Sequence, residues 1–157
     1  MQKKFELTTE TRIVFGRKLF RIKALIDFKF AKAGDLGGWV EKEENLSQFG
    51  NAWVSGNARV FGNAKVFGDA RVFGNAEVFG DAEVFGDADY ACVKGFGSEY
   101  RNTTFFSCKD GTIKVMCGCF FGTLQEFREK VKKTHKDTKY AKEYLMIADL
   151  MEMHFSE

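Results

Sequence analysis

The stretch that decides the fold begins at Gly50 and reads GNAWVS (50–55), GNARVF (56–61), GNAKVF (62–67), GDARVF (68–73), GNAEVF (74–79), GDAEVF (80–85) and GDADYA (86–91). These six-residue units follow one another without an insertion. Each opens with Gly and then Asn or Asp, residues that supply a bend because they tolerate positive φ. Ala and Val follow two residues apart, so they share one face of a short strand. A period of six excludes a helix face, which recurs every 3.6 residues.

Stacking of the units is expected, because a single short strand cannot bury its own apolar face. The position between Ala and Val varies and is expected to face solvent. If three units form one coil, outward residues 18 positions apart have opposite charges: Arg59 and Glu77, Lys65 and Glu83, Arg71 and Asp89. A spacing of 12 would bring like charges together on adjacent strands, which is unfavourable. A spacing of 24 also gives opposite pairs, so charge leaves both 18 and 24 open.

The unit Val-x-Gly-Asn/Asp-Ala-x resembles the hexapeptide repeat of left-handed parallel β-helices. The resemblance implies three faces, 18 residues per coil and left-handed winding, with about three coils over residues 38–92. The same register is expected upstream, with Gly38 in the Gly column and both Val40 and Leu46 in the Ala column. The predicted fold class is therefore mainly β, a parallel left-handed β-helix between two smaller end regions.

The end regions carry their own signals. Residues 1–37 show strand-like alternation and are interpreted as an N-terminal β cap, because the end coil of a solenoid exposes unpaired strand edges. Residues 93–157 predict a small ββαα domain. Its hairpin turns at Asp110-Gly111, a capping box at Thr123 and Glu126 starts the first helix, and Asp137 is expected to cap the second.

The residue after Val is Phe in five units, at Phe61, Phe67, Phe73, Phe79 and Phe85. Since each neighbouring Val faces inward, these rings are expected outside or at the corners, stacked in ladders. Exposed aromatic ladders are seldom left in water. They are interpreted as an oligomer interface, with a homotrimer expected from the resemblance. Cover by flanking segments and a ligand or partner surface remain alternatives.

Composition and charge narrow the classes of function. The chain has 157 residues with 24 Lys+Arg and 22 Asp+Glu, a net charge of +2. Such a balance favours neither nucleic acid nor a membrane surface as a partner. No apolar run approaches the ~20 residues of a transmembrane helix. The N-terminus lacks the features of a signal peptide, so a cytoplasmic protein with reduced cysteines is expected.

A candidate ligand site lies in the C-terminal region. Arg forms two-pronged hydrogen bonds with phosphate, and aromatic rings stack on nucleobases. A pocket for a small anionic ligand is predicted from a group of such residues: Tyr100, Arg101, Asn102, Thr103, His135 and Tyr140. The alternative is an ordinary hairpin loop with a solvated Arg.

Enzymatic and metal-binding alternatives have weaker signals. Many hexapeptide-repeat proteins are acyltransferases that use a His as general base, but residues 1–134 contain no His. Cys117 and Cys119, with Cys108 and His135, could ligate a metal, although structural zinc sites favour Cys-x₂₋₄-Cys spacing. A nucleophilic Cys paired with His135 has no supporting motif. The prediction is a non-enzymatic protein with no cofactor, no metal and no catalytic residues.

Two further stretches extend the resemblance. They are GDLGGWV (34–40), leading into ENLS (44–47), and CGCFFGTL (117–124), followed by KYAKEY (139–144). Both are similar to segments of phage and prophage hexapeptide-repeat proteins with a small C-terminal α+β domain. The resemblance implies a bacterial host cytoplasm and no established activity. By analogy with small phage proteins that act on host defence, the expected function is sequestration of a nucleotide-like immune signal. A structural or protein-docking module is the alternative.

Overall fold

The computed structural model describes residues 2–86, 89–108, 110–118 and 120–156. It divides into two compact units, Met1–Asp87 and Ala88–Glu157. The first unit contains strands β1 to β9: Phe5–Val14, Arg17–Ala24, Leu36–Val40, Trp53–Val54, Arg59–Val60, Lys65–Val66, Arg71–Val72, Glu77–Val78 and Glu83–Val84. The second contains β10 to β13 and two helices, α1 and α2: Tyr90–Phe96, Arg101–Ser107, Ile113–Cys117, Phe120–Thr123, Leu124–His135 and Lys139–His154.

The predicted fold class, a mainly β left-handed parallel β-helix of three coils, is wrong. The structure is mixed, with two α-helices and several short sheets. Each described repeat strand is only two residues long, because the Gly-Asn/Asp bend returns every six residues. Strands β4 and β7 form one isolated parallel pair, and β6 and β9 form another. The remaining repeat strands join the N-terminal strands in one sheet of order β1-β2-β3-β5-β8.

Pairing within the repeat follows the 18-residue spacing rather than 12 or 24. Arg59 lies opposite Glu77, and Lys65 lies opposite Glu83, so two predicted pairs of opposite charge are confirmed as neighbours. Burial raises the pKa of the Glu77 carboxyl, and the Arg59 guanidinium opposes that shift. The Ala and Val side chains of the described units are buried, as their two-residue spacing predicts.

The predicted register upstream of Gly50 is wrong by two residues. Val40 pairs with Val60, and Leu46 forms a bridge with Val66, so both align with the Val column instead of the Ala column. The shift arises between Leu46 and Trp53, because Trp53 already pairs with Arg71 at the regular spacing. Two additional residues lie in this segment.

The N-terminal strands reach the irregular segment through Lys4. This side chain is buried, and its Nζ donates to the carbonyl oxygens of Ala52 at 2.6 Å and Gly50 at 3.4 Å. The ammonium also lies 5.1 Å from the centre of the Phe28 ring. Burial lowers the pKa of Lys4 to about 8, since a charged amine loses its hydration there.

The second unit has four strands rather than the two that the sequence predicts. Strands β10 to β13 form an antiparallel sheet in chain order. The predicted hairpin is confirmed, because β11 pairs with β12 on either side of Asp110-Gly111. Strands β10 and β13 were missed because they lack the regular alternation that marks a half-buried strand.

One predicted helix cap is confirmed and the other is wrong. Thr123 Oγ1 accepts from the backbone N–H of Glu126, and Glu126 Oε1 accepts from the N–H of Thr123, so the capping box starts α1. Helix α2 is capped at Thr138 without a side-chain hydrogen bond, in place of Asp137. In the part of the chain that is described, neither helix has the length and hydropathy to cross a membrane.

Candidate functional site

A pocket of about 330 Å³ lies within the unit Ala88–Glu157. One wall comes from the β10–β11 turn and the adjoining strand ends, and the other comes from α1 and α2. Its lining consists of Ser98, Glu99, Arg101, Cys117, Phe120, Phe127, Lys130, Val131, Thr134, His135 and Tyr144.

Helix α1 supplies nearly half of the lining. Because the capping box sets where α1 begins, Phe127, Val131 and Thr134 recur along one face at spacings of four and three. Lys130 and His135 flank that face and reach the same pocket. The helix therefore presents apolar side chains to the floor of the pocket and basic groups to its rim.

Aromatic rings form the floor. The Phe127 ring is 5.5 Å from Tyr144, 5.8 Å from Phe120 and 5.8 Å from Phe105, measured between ring centres. Phe105 and Phe127 are almost fully buried. Edge and tilted contacts of this kind are favoured by the ring quadrupoles, so the floor is a packed and rigid surface.

Arg101 is positioned by the turn that precedes it. Tyr100 has a φ of +52°, which turns the chain into β11 and leaves Arg101 exposed at the first position of that strand. The guanidinium lies directly on Gly118, where a Cβ would overlap its Nη1 and Cζ atoms. Gly118 therefore leaves room for Arg101 at the edge of the pocket.

The polar groups beneath the pocket bond to one another. Thr103 is fully buried, and its Oγ1 donates to Cys117 Sγ at 3.2 Å. The Tyr144 hydroxyl donates to the Phe96 carbonyl at 3.1 Å and lies 3.8 Å from Cys117 Sγ. Burial raises the pKa of Tyr144 to about 12, with a further contribution from the neighbouring Cys117. The phenol therefore stays neutral at physiological pH.

His135 stands at the C-terminal end of α1, between two tyrosines. Its ring centre is 6.0 Å from that of Tyr140 and 6.0 Å from that of Tyr144. The negative end of the α1 dipole lies beside this ring, which favours a protonated imidazole. His135 thus adds a third basic group to the rim, next to Arg101 and Lys130.

The basic groups outnumber the acidic ones at the pocket. Arg101, Lys130 and His135 face a single carboxylate, Glu99. Across residues 2–86, 89–108, 110–118 and 120–156, no ion pair involves any of these four side chains. The rim is therefore able to accept an anion without first breaking an internal salt bridge.

The predicted ligand residues have different places in this geometry. Arg101 and His135 line the pocket, Thr103 lies beneath it, and Tyr140 packs on His135 without lining it. Tyr100 and Asn102 do not line the pocket; Tyr100 is exposed. Sequence reasoning missed Lys130, although it lies one turn before Thr134 on the predicted helix. It also missed Phe120 and Tyr144 as part of the floor.

The five predicted interface phenylalanines are not equivalent. Phe61 is buried against Phe15 and Phe79 of its own unit, with ring centres 6.4 Å and 4.7 Å away. Phe73 and Phe85 are 52% and 61% exposed. The Phe67 and Phe85 rings contact at 5.1 Å, which confirms one predicted ladder step. Phe61 therefore adds nothing to an exposed surface, whereas the other end of the set remains open.

A second depression of about 650 Å³ adjoins the half-buried Phe67 in the unit Met1–Asp87. Phe49, which is 66% exposed, and Leu46 give it apolar walls. Its charged lining consists of Glu43, Glu44, Lys65 and Glu83.

The cysteine-based alternatives find little geometric support. Cys92, Cys108 and Cys117 are not in disulfides, and the described residues contain no group of three or more His, Cys, Asp or Glu able to hold a metal ion. Cys117 lies in the pocket with His135. Cys119, the other cysteine of the Cys-x-Cys pair, is outside the described residues, as is the corner residue Asp87.

Comparison with known proteins gives no assignment, since neither a protein-family model nor a curated protein matches this chain.

Proposed function

We propose that the unit Ala88–Glu157 binds a small phosphate-bearing molecule in the pocket between its sheet and its helices. The observation that carries this proposal is the convergence of Arg101, Lys130 and His135 on one aromatic-floored pocket with a single opposing carboxylate. A planar guanidinium on the rim suits two oxygens of one phosphate group. Lys130 adds a compact charge on the facing helix.

The apolar floor supports a ligand that has a ring as well as a phosphate. Phe120, Phe127 and Tyr144 offer aromatic surface below the basic rim. A base-like ring stacked there would contribute about 1–3 kcal/mol. The volume of about 330 Å³ is at the small end of known ligand sites, which favours one mononucleotide-sized molecule over a large cofactor.

Binding without turnover fits the polar groups of the floor. Thr103, Cys117 and Tyr144 hydrogen-bond among themselves and to the backbone, so they stabilise the sheet and hold the floor in place. Together with the resemblance to phage proteins, this supports sequestration of a nucleotide-like host immune signal as the biological role.

The proposal is tested by calorimetric titration of the whole protein with a panel of nucleoside monophosphates, cyclic nucleotides and inorganic phosphate. Arg101→Ala and Lys130→Ala are each expected to weaken binding by about tenfold or more, because each removes a charge-assisted contact. Lys133→Ala is the matched control, since Lys133 is exposed on the same helix, changes the charge equally and does not line the pocket.

The result that overturns the proposal is equally direct. Binding that is equal in the parent, Arg101→Ala and Lys130→Ala proteins would place the ligand elsewhere. The absence of binding across the panel in the parent protein would exclude the phosphate-bearing class that the panel represents.

A second candidate function is docking of a protein partner on the exposed phenylalanines of the unit Met1–Asp87. It is favoured by the exposure of Phe49, Phe73 and Phe85, since surface aromatics on a rigid element are typical of interaction sites. Replacing Phe85 with Ser would abolish capture of such a partner and leave nucleotide binding unchanged.

A further inference from the structure

Helix α2 has apolar side chains on two opposite faces. The inner face packs on the sheet and α1 of its unit and consists of Ala141, Tyr144, Ile147, Ala148 and Met151. A surface helix normally has one apolar stripe and a polar opposite face. Here the opposite face is also apolar, and nothing in the inner packing requires that.

The outer stripe consists of Met146, Leu150 and Met153, which are 72%, 51% and 67% exposed. Their spacings of four and three residues place them in one line along the helix. This is the spacing of a helix–helix seam, in which a partner helix inserts side chains between them. Long unbranched Met side chains adapt readily to such a partner.

Charges along α2 run against the preference of an isolated helix. Lys139 and Lys142 lie in the first turns, whereas Asp149 and Glu152 lie toward the last. The helix dipole favours the reverse order, with acidic residues first and basic residues last. An antiparallel partner helix with the same sequence would bring each basic end beside an acidic end. A parallel partner would bring lysines beside lysines.

The neighbouring charges leave this arrangement open. Asp149 and Glu152 contact Arg128 at 2.9 Å and 3.1 Å, yet their side chains remain 77% and 65% exposed. Each carboxylate therefore has accessible oxygen for a second cation. Glu143 already accepts a hydrogen bond from the Gly97 N–H. Within the described residues, Lys142 forms no ion pair.

From this pattern we propose that the outer face of α2 binds α2 of a second copy of this chain in antiparallel orientation. Met146, Leu150 and Met153 of the two copies form the apolar seam, and the lysine-bearing end of each helix lies beside the acidic end of the other. The contact is isologous, so it closes with two copies. It depends neither on ligand binding in the pocket nor on the phenylalanines of the other unit.

Sedimentation velocity over a concentration series tests the seam. The parent protein is expected to show a monomer–dimer equilibrium, and Leu150→Lys is expected to weaken it by about tenfold or more, because a charge replaces a central apolar contact. Ile13→Lys is the matched control, since Ile13 is 67% exposed on β1 and lies outside the seam. A monomer at every concentration, or unchanged association in Leu150→Lys, overturns the proposal.

A charge exchange tests the orientation. The variants Lys139→Glu/Lys142→Glu and Asp149→Lys/Glu152→Lys are each expected to weaken self-association, and an equimolar mixture is expected to restore it as a mixed dimer. Circular dichroism of each variant shows whether the helix is intact, because the second one also removes the partners of Arg128. Weak association in the mixture of two folded variants would rule out the antiparallel pairing.

Discussion

The two units are stabilised by cores of opposite character. In Met1–Asp87, columns of Ala and Val no more than 1% exposed fill a narrow interior, and successive bends bring glycine backbones close together. In Ala88–Glu157, the core is built from large rings, with Phe127 in contact with Phe105, Phe120 and Tyr144. Small identical side chains stack without gaps, whereas large rings of different orientation leave space at their edges. The pocket of the second unit lies at such an edge.

Two spectroscopic signals separate the units. Both tryptophans, Trp39 and Trp53, are buried in the first unit. Both described α-helices, α1 and α2, belong to the second. Tryptophan fluorescence therefore follows the first unit during unfolding, and the helical band of circular dichroism follows the second.

The largest effect is expected in the aromatic core. Phe127→Ala should lower the free energy of unfolding of the second unit by about 4 kcal/mol, because it empties a buried site bordered by rings that cannot close together. Urea unfolding followed by circular dichroism measures the loss. Phe85→Ala is the control, since that ring is 61% exposed, and it should have little effect on this signal. A loss below about 1 kcal/mol for Phe127→Ala would mean that the floor is not a packed core.

A smaller effect is expected from two glycines of the repeat that share a backbone conformation. Gly68 and Gly74 have φ of +66° and +68°, but a Cβ on Gly68 would lie 2.7 Å from the Phe85 carbonyl oxygen, whereas Gly74 has open space. Gly74→Ala should cost about 1 kcal/mol for the left-handed conformation alone. Gly68→Ala should cost about 1–3 kcal/mol more. Equal losses, measured by tryptophan fluorescence in urea, would contradict the close stacking of the bends.

The smallest expected effect is a difference in pH dependence between the units. The pKa of Lys4 is lowered to about 8 in the folded chain, so unfolding takes up a proton and the first unit gains stability between about pH 8 and the ordinary lysine pKa of about 10.4. The pKa of Tyr144 is raised to about 12. The second unit therefore loses stability as the pH rises above the ordinary tyrosine pKa of about 10.

Conservative variants isolate these two contributions. Thermal unfolding of Lys4→Met, followed by fluorescence, should lack the gain between pH 8 and 10 that the parent shows. Tyr144→Phe, followed by circular dichroism, should lack the loss above pH 10. Parallel pH profiles for the parent and Lys4→Met would mean that the amine is hydrated in the folded state.

How far the sequence predicted each unit follows from its repetition. In the repeat, one six-residue unit recurs, so the neighbours of Arg59 and Lys65 followed from spacing and charge alone. The prediction failed where repetition stopped, because nothing upstream of Gly50 marks the two additional residues that move Val40 and Leu46 into the Val column. The predicted overall fold was also wrong, since unit spacing specifies which residues pair but not how long the strands are or which sheets they join.

In the second unit, local signals were reliable and distant ones were not. The Asp110-Gly111 hairpin and the Thr123–Glu126 capping box each depend on residues close in sequence, and both are present. Arg101 and His135 were chosen for their chemistry and do line one pocket. Tyr100 and Asn102 were chosen for their proximity in sequence to Arg101, but the positive φ of Tyr100 and the alternation of β11 direct them away from it.

The sequence by itself determined the period of the repeat, the burial of its Ala and Val columns, the partners 18 residues apart, and the starts of one hairpin and one helix. Those features depend on local conformation and on a pattern that repeats. Only the tertiary structure decided that β11, β12, β13 and α1 meet so that Arg101, Lys130 and His135 surround an aromatic floor. It also decided that Met146, Leu150 and Met153 face away from the core. The physical reason is that a pocket or an open helix face depends on how distant elements pack, and side-chain volumes far apart in the chain set that packing.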